Sequence, residues 1–344
     1  MASSIAAPSS GKFLYRGQVA PRRGALASWE RLRNGRAIWI AECFAEALGV
    51  FMYTYAGTGS QAAWVIQNLL KEEGLSSIFQ VGWGYAAGIM FAITVCGSTS
   101  GAHFNPCITI VHVLFNKFPV VKGIRYILSQ IFGAYVACLV IYLQYKHTIH
   151  AIEAALPAAT KAAVWYTPNG VPGIFANYLL PGSSVGLAFV NEFVADFFIA
   201  LVIFGVTDPS NPFISPAAVA PVISMAYAAA IWGFALNGLS ANTARDLGGR
   251  FAALTLWGTD AVGPFPSYCA SSALTNIPAT ILAFLACEVF LVDSDRAVPQ
   301  ASREFVDMHA MHRRTQAAHG HDHILDDSSS ASDRKEAVGT IERV

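Results

Sequence analysis

Charge is scarce in this sequence. Of 344 residues only 13% are Asp, Glu, Lys or Arg, while 54% are hydrophobic; soluble domains carry charge on about a quarter of their residues. That shortage excludes an ordinary water-facing surface over most of the chain. Cysteine is sparse as well: Cys43, Cys96, Cys107, Cys138, Cys269 and Cys287 are scattered, with no C-x-x-C pair. They read as small buried hydrophobes, neither a disulfide framework nor a metal cluster. No Asn-x-Ser/Thr sequon occurs, so glycosylation gives no check on topology. A nucleophile–base set, a metal-ligand spacing and a nucleotide-binding loop are all missing from the sequence. That argues against an enzyme, and neither a cofactor nor a nucleic-acid partner is expected.

What the chain does have is apolar runs of roughly 20 residues, the length that crosses a bilayer as helix. They fall near 37–58, 77–97, 124–145, 185–206, 217–237 and 270–292. The expected fold class is an all-α membrane protein with six transmembrane helices and the lipid bilayer as its surroundings. Residues 1–36 carry Lys12, Arg16, Arg22, Arg23, Arg31, Arg33 and Arg36 against Glu30 alone, with no apolar core long enough for a cleaved signal peptide. The positive-inside rule puts this tail in the cytoplasm, and Lys117, Lys122 and Arg125, between spans two and three, fall on the same side. The connections 59–76 and 147–184 hold little positive charge, and 207–216 holds none. An even number of spans returns the C-terminus to the cytoplasm. From Asp293 onward the chain is polar and biased, with H-G-H-D-H at 319–323 and D-D-S-S-S-A-S-D at 326–333, and disorder is expected there. The plan is a basic tail (1–36), a membrane domain (37–292) and a polar tail (293–344).

Inside that domain, S-G-A-H-F-N-P-C-I-T-I (100–110) sets a Gly-rich polar loop between two apolar stretches. A helix from Asn105 to Asn116 would be only about 18 Å long, little more than half of a hydrocarbon core of roughly 30 Å. It cannot span. Irregular backbone at membrane depth is tolerated only where protein buries it or it lines a wet cavity, so residues 97–104 should descend as a loop and 105–116 return as a half-helix. Asn105 suits the N-cap and Pro106 the first helical position, where a missing N–H costs nothing. L-N-G-L-S-A-N-T-A-R-D-L-G-G-R (236–250) repeats the arrangement after span five. Glu46 in E-A-L-G-V-F and Glu192 in E-F-V-A-D-F occupy matching places in spans one and four. Two units of three spans plus one re-entrant loop, about 37–146 and 185–292 joined by 147–184, form an inverted repeat, because an odd number of spans turns the second unit over.

Through G-A-H-F-N-P-C (101–107), A-N-T-A-R-D (241–246), the paired glutamates and S-Q-I-F-G-A (129–134), the chain resembles the major intrinsic protein, or aquaporin, family over about residues 37–292. Asp246 directly after Arg245, with Arg250 four residues on, is similar to the glycerol-conducting branch, and the variant motifs and long tails look most like fungal aquaglyceroporins. Two departures stand out: Cys107 replaces the Ala of the first Asn-Pro-Ala, and Thr243 replaces the Pro of the second. The threonine keeps an N–H and adds a hydroxyl able to bond locally. The Pro-Leu pair of the glycerol branch is also missing from S-S-A-L-T-N-I-P (271–278).

The resemblance implies a passive channel for glycerol, water and other small neutral solutes, assembled as a homotetramer with one pore per protomer in the plasma membrane. Asn105, Pro106 and Cys107 would meet Asn242, Thr243 and Ala244 at the midplane, the two amides donating to one solute oxygen and so breaking a proton wire. Backbone carbonyls of Gly101, Ala102, His103, Phe104, Gly238, Leu239, Ser240 and Ala241 would line one wall. Counting from the motifs places the constriction at Tyr85, Ala230, Leu239 and Arg245, with Trp83 close to Tyr85 in sequence. Glu46 and Glu192 would brace the loops by accepting backbone N–H bonds, His103 would pack its loop, and Asp196, one turn from Glu192, would be a paired or protonated structural acid. Two other readings use the same features: a proton-coupled transporter working through Asp196, and a non-conducting scaffold whose altered motifs close the pore.

Overall fold

A computed structural model describes residues 15–74 and 76–312. The His-rich and Ser/Asp-rich stretches at 319–323 and 326–333 lie outside the described residues. Apolar side chains face outward: Phe91, Val95, Leu128, Phe132, Leu187, Val194 and Phe198 are all exposed, while Glu46, Gln130, Glu192, Asp196, Arg245 and Asp246 are buried. Polar inside and apolar outside is the reverse of a soluble domain and suits hydrocarbon solvent.

The described residues form helices and no strands. Helix α1 (Ile38–Leu70) buries Glu46, Gly49, Val50, Tyr53, Gly57 and Thr58 along one stripe at helical spacing. Helix α2 (Ile78–Ser100) starts at Ser77, whose side chain accepts from the Gln80 N–H, and stops at Gly101, which takes φ 92°. The half-helix α3 (Pro106–Phe115) follows, and then α4 (Val120–Ala155). In the second repeat, α5 (Val185–Thr207) opens on a Ser184 cap, α6 (Val219–Phe234) follows a turn begun by Pro216, and α7 (Thr243–Trp257) is the second half-helix. The last span, Pro266–Phe290, consists of α8 (Pro266–Leu274) and α9 (Asn276–Phe290), which meet at Thr275. Five segments are long and apolar enough to cross a membrane by themselves, and Ile38–Leu70 joined with the helix before it makes a sixth.

Two boundaries differ from the sequence expectation. Helix α1 runs on to Leu70 and α4 to Ala155, so much of the expected 59–76 connection and the start of 147–184 are helical. Hydropathy falls at G-T-G-S-Q (57–61) and at Q-Y-K-H (144–147), but after the first no glycine follows until Gly74, and after the second no proline follows until Pro157. Loss of hydrophobicity marks the bilayer edge; it does not end a helix.

The packing follows the inverted repeat. Half-helix α3 lies against α4 and α9, α7 against α4, α2 against α6, and α5 against α6 and α9. Each half-helix therefore touches the third span of the other repeat. The connecting segment contributes too: its turn Val171–Ile174 comes so close to α7 that a methyl group at Gly249 would sit 2.0 Å from the Phe175 carbonyl oxygen. By contact, residues 42–299 make one unit, and the described residues 15–41 and 300–312 belong to another. In the latter, residues 300–312, expected to be disordered, are helical; Gln300 Nε2 donates to Glu304 Oε1 at 2.9 Å, one turn on.

Replacing Gly249 with Ala should force the segment off α7 and cost about 1–3 kcal/mol. The check is the unfolding temperature of detergent-solubilised protein against Gly205→Ala, where nothing lies within 4 Å of an added methyl; equal temperatures would refute the close approach.

Candidate functional site

Half-helices α3 and α7 begin deep in the bundle. Asn105 caps α3, its Oδ1 accepting the Cys107 N–H at 3.0 Å, and Pro106 takes the first position. Asn242 caps α7, its Oδ1 accepting from Ala244 N at 2.8 Å and Arg245 N at 3.1 Å. With both Oδ1 atoms held, both Nδ2 groups point away from their own helices and cross over. Asn242 Nδ2 donates to the Phe104 carbonyl at 2.8 Å, and Asn105 Nδ2 to the Ala241 carbonyl at 3.5 Å and Asn276 Oδ1 at 3.3 Å. Each asparagine is thus tied to the residue that precedes the other.

The loops are held from behind. Glu46 accepts from His103 N at 3.1 Å, Phe104 N at 2.8 Å and Gln130 Nε2 at 2.7 Å; Glu192 accepts from Ser240 N at 2.7 Å and Ala241 N at 2.8 Å. The two carboxylates make the same pair of bonds one repeat apart. Phe104 and Ala241, the residues before the asparagines, have φ of 47° and 56°, a region non-glycine residues seldom occupy. Side-chain donors take the carbonyls of Phe104, Gly238 and Ala241.

A cavity of about 60 Å³ is lined by both asparagines together with Ala102, His103, Phe104, Ile89, Ile203 and Ile223. A larger depression of about 370 Å³ lies between α1, α2 and α4, beside Tyr55, Ser60 and Gln144, and includes neither motif. At the other end Arg245 is buried, with Nη1 donating to the Phe175 carbonyl at 2.8 Å and Nε to Tyr85 Oη at 3.0 Å. Ala230 and Leu239 lie in the same apolar cluster as Tyr85. Trp83 faces outward against Trp232, with ring centroids 5.9 Å apart. Asp246 accepts from Asn177 Nδ2 at 2.7 Å and Ser272 Oγ at 3.0 Å, and Arg250 donates to the Asn177 and Ala261 carbonyls. His103 bonds Thr109 through Nδ1 at 3.1 Å and stacks on His112, and Asp196 is buried one turn from Glu192.

Two inverted units with two half-helices meeting end to end beside a cavity describe a transmembrane pore. A model of the Major intrinsic protein family matches residues 34–265. The chain belongs to the major intrinsic protein family. Aquaporin-3 of Laccaria bicolor is 48% identical over 329 residues, 95% of this chain and 99% of its own. The Glycerol uptake facilitator protein of Haemophilus influenzae is 32% identical over 228 residues, 63% of this chain and 80% of its own. Among solved structures, the aquaglyceroporin from Plasmodium falciparum has a TM-score of 0.63 at 23% identity, covering 74% of this chain and 97% of that one, a likeness of fold. As a member of the family, the protein is an integral, multi-pass membrane channel for water and small solutes, and such channels are not enzymes.

Several residues of this major intrinsic protein that hold the site were not singled out from its sequence. Asn276 anchors Asn105, Gln130 completes the partners of Glu46, and Thr58 and Gln61 face Arg245. Gln130 is a polar residue in an otherwise apolar span and that was its available signal; Thr58 and Gln61 lie where hydropathy falls and carried none. The two motif departures touch each other: Cys107 Sγ lies 3.1 Å from Thr243 Oγ1, which donates to the Ala273 carbonyl at 2.8 Å. The threonine hydroxyl does not bond within its own turn; it links both half-helices to the last span.

A double-mutant cycle should therefore show coupling. Cys107→Ala and Thr243→Val should each destabilise the solubilised protein, and the double variant should lose less than the sum by about 0.5–1 kcal/mol. Strict additivity in denaturation would show that the contact carries no energy.

Proposed function

We propose that this channel passes water and glycerol down their gradients while excluding protons and ions. The observation that carries the reading is the crossed asparagine pair at a narrow cavity lined also by Ala102, His103, Phe104 and isoleucine side chains. Each Nδ2 has two hydrogens. Asn242 gives one to Phe104, so the second is available to a solute oxygen; Asn105 has both of its hydrogens on protein acceptors, and the longer contact, 3.5 Å to the Ala241 carbonyl, is the one a solute oxygen would replace. An oxygen that accepts from both amides cannot accept from its neighbour in the file, and the positive ends of α3 and α7 oppose cations at the same place. A transporter would have to move protons through Asp196, which sits behind the Glu192 brace, so the passive channel is the better fit.

Glycerol is supported by the ring of Tyr85, Ala230, Leu239 and Arg245. Two of its members are aliphatic, so it can meet carbon on one side while Arg245 meets hydroxyls on the other. The name of the Haemophilus influenzae relative points the same way. Asp246 serves as a brace, tying α7 to the connecting segment and the last span. We place the protein in the plasma membrane as a homotetramer with one pore per protomer and both termini cytoplasmic; the basic N-terminal residues support that orientation.

Stopped-flow light scattering on proteoliposomes tests the reading. Water and glycerol permeability should both exceed those of empty liposomes, and an imposed pH gradient should neither dissipate faster nor drive glycerol uptake. Background permeability to both solutes would favour the scaffold, uphill accumulation would favour the transporter, and fast water with excluded glycerol would overturn the solute preference alone.

A further inference from the structure

We propose that one face of α1, made by Gly57, Thr58 and Gln61, sets the solute preference of the pore by seating Tyr85 against Arg245. The proposal rests on the reading that the path narrows at Arg245. Tyr85 comes from α2, yet its position is determined by α1. Its ring lies directly on Gly57: a methyl group there would be 2.1 Å from Tyr85 Cδ1 and 2.3 Å from Cε1. Only a residue without a side chain lets the ring sink to this depth. Its hydroxyl is then gripped, 3.2 Å from Thr58 Oγ1 and 3.4 Å from Gln61 Oε1, while accepting from Arg245 Nε at 3.0 Å. Positions 57, 58 and 61 lie on one face of the helix.

Gln61 acts at both ends of this arrangement. Its Nε2 donates to the Gly173 carbonyl at 2.9 Å, which fixes the side chain to the connecting segment, and its Oε1 accepts from Arg245 Nη2 at 3.2 Å as well as from Tyr85. Nη2 also lies 3.5 Å from Thr58 Oγ1 and 3.4 Å from the Ile174 carbonyl. Of the five guanidinium hydrogens, those on Nε and Nη2 and one on Nη1 therefore face protein acceptors. Removing the Gln61 oxygen has two effects of the same sign. Tyr85 loses part of the grip that holds it beside the path, and Arg245 Nη2 loses the shortest of its three protein contacts and turns more readily to a solute hydroxyl. Filling the Gly57 position does the opposite, because the ring must rise from its seat toward the lumen. Gln61 and Thr58 are thus positioning residues, acting through Tyr85 and Arg245.

The full-length protein is reconstituted as wild type, Gln61→Leu, Gly57→Ala, Tyr85→Phe and the double variant Gln61→Leu/Tyr85→Phe, each passed through gel filtration to confirm folding. The ratio of glycerol to water permeability is read for each. Gln61→Leu should raise the ratio severalfold, and Gly57→Ala should lower it severalfold. The double variant should change the ratio by less than the product of the two single changes, since both act on the tyrosine hydroxyl and only the contact of Gln61 with Arg245 is separate. A role limited to stability would lower yield and leave the ratio fixed. Unchanged ratios in folded Gln61→Leu and Gly57→Ala, shifts of the same sign, or simple multiplication in the double variant would overturn the seating. If Gly57→Ala does not fold, Gln61→Leu and the double variant still decide. Arg245→Ala is measured alongside: an unaltered ratio there would show that the constriction is elsewhere, a failure of the underlying reading distinct from failure of the seating.

Discussion

At the centre of a bilayer an amide N–H finds no water, and a loop left unpaired there costs several kcal/mol for each such group. The rest of this structure depends on how that constraint is met. Glu46 and Glu192 each accept two consecutive N–H groups from the loop that enters beside them. With those donors held, the backbone can take the positive φ of Phe104 and Ala241. The turn then aims the asparagine caps at each other, and the half-helices start where they do because the caps are there. Two buried acids behind the path thus shape a surface that they do not line.

Much of this architecture was readable before any coordinates. A half-helix announces itself by being too short to span, and Asn-Pro at its start is capping chemistry that local sequence states openly. The paired glutamates were legible because each is an acid in an otherwise apolar run, one repeat apart. The reach of α1 and α4 was not, since hydropathy reports the edge of the hydrocarbon and says nothing of a helix that continues into water. Contacts made by residues far apart in sequence were equally hidden. Asn276 lies 171 positions from Asn105, and Gln61 lies 184 from Arg245; only folding shows that these amides find those partners.

The departures at Cys107 and Thr243 illustrate the limit from another side. Read along the chain they are two unrelated losses, one alanine and one proline. In space they are neighbours, and the thiol fills the volume beside the hydroxyl that replaced the ring. The two departures therefore meet at one contact between the half-helices.

The crossed asparagine bonds also have a consequence for how the protein is made. Both acceptors of the Asn105 amide, Ala241 and Asn276, belong to the second repeat. While the ribosome is still translating that repeat, the first loop sits in the translocon or the bilayer with its amide lacking its final partners. The first three spans can insert and pack, but the loop between them reaches its bonded form only after about residue 276 has emerged. Completion of the chain and completion of the pore are therefore the same late event in biogenesis, and a nascent chain stalled before the last span holds an unfinished lumen.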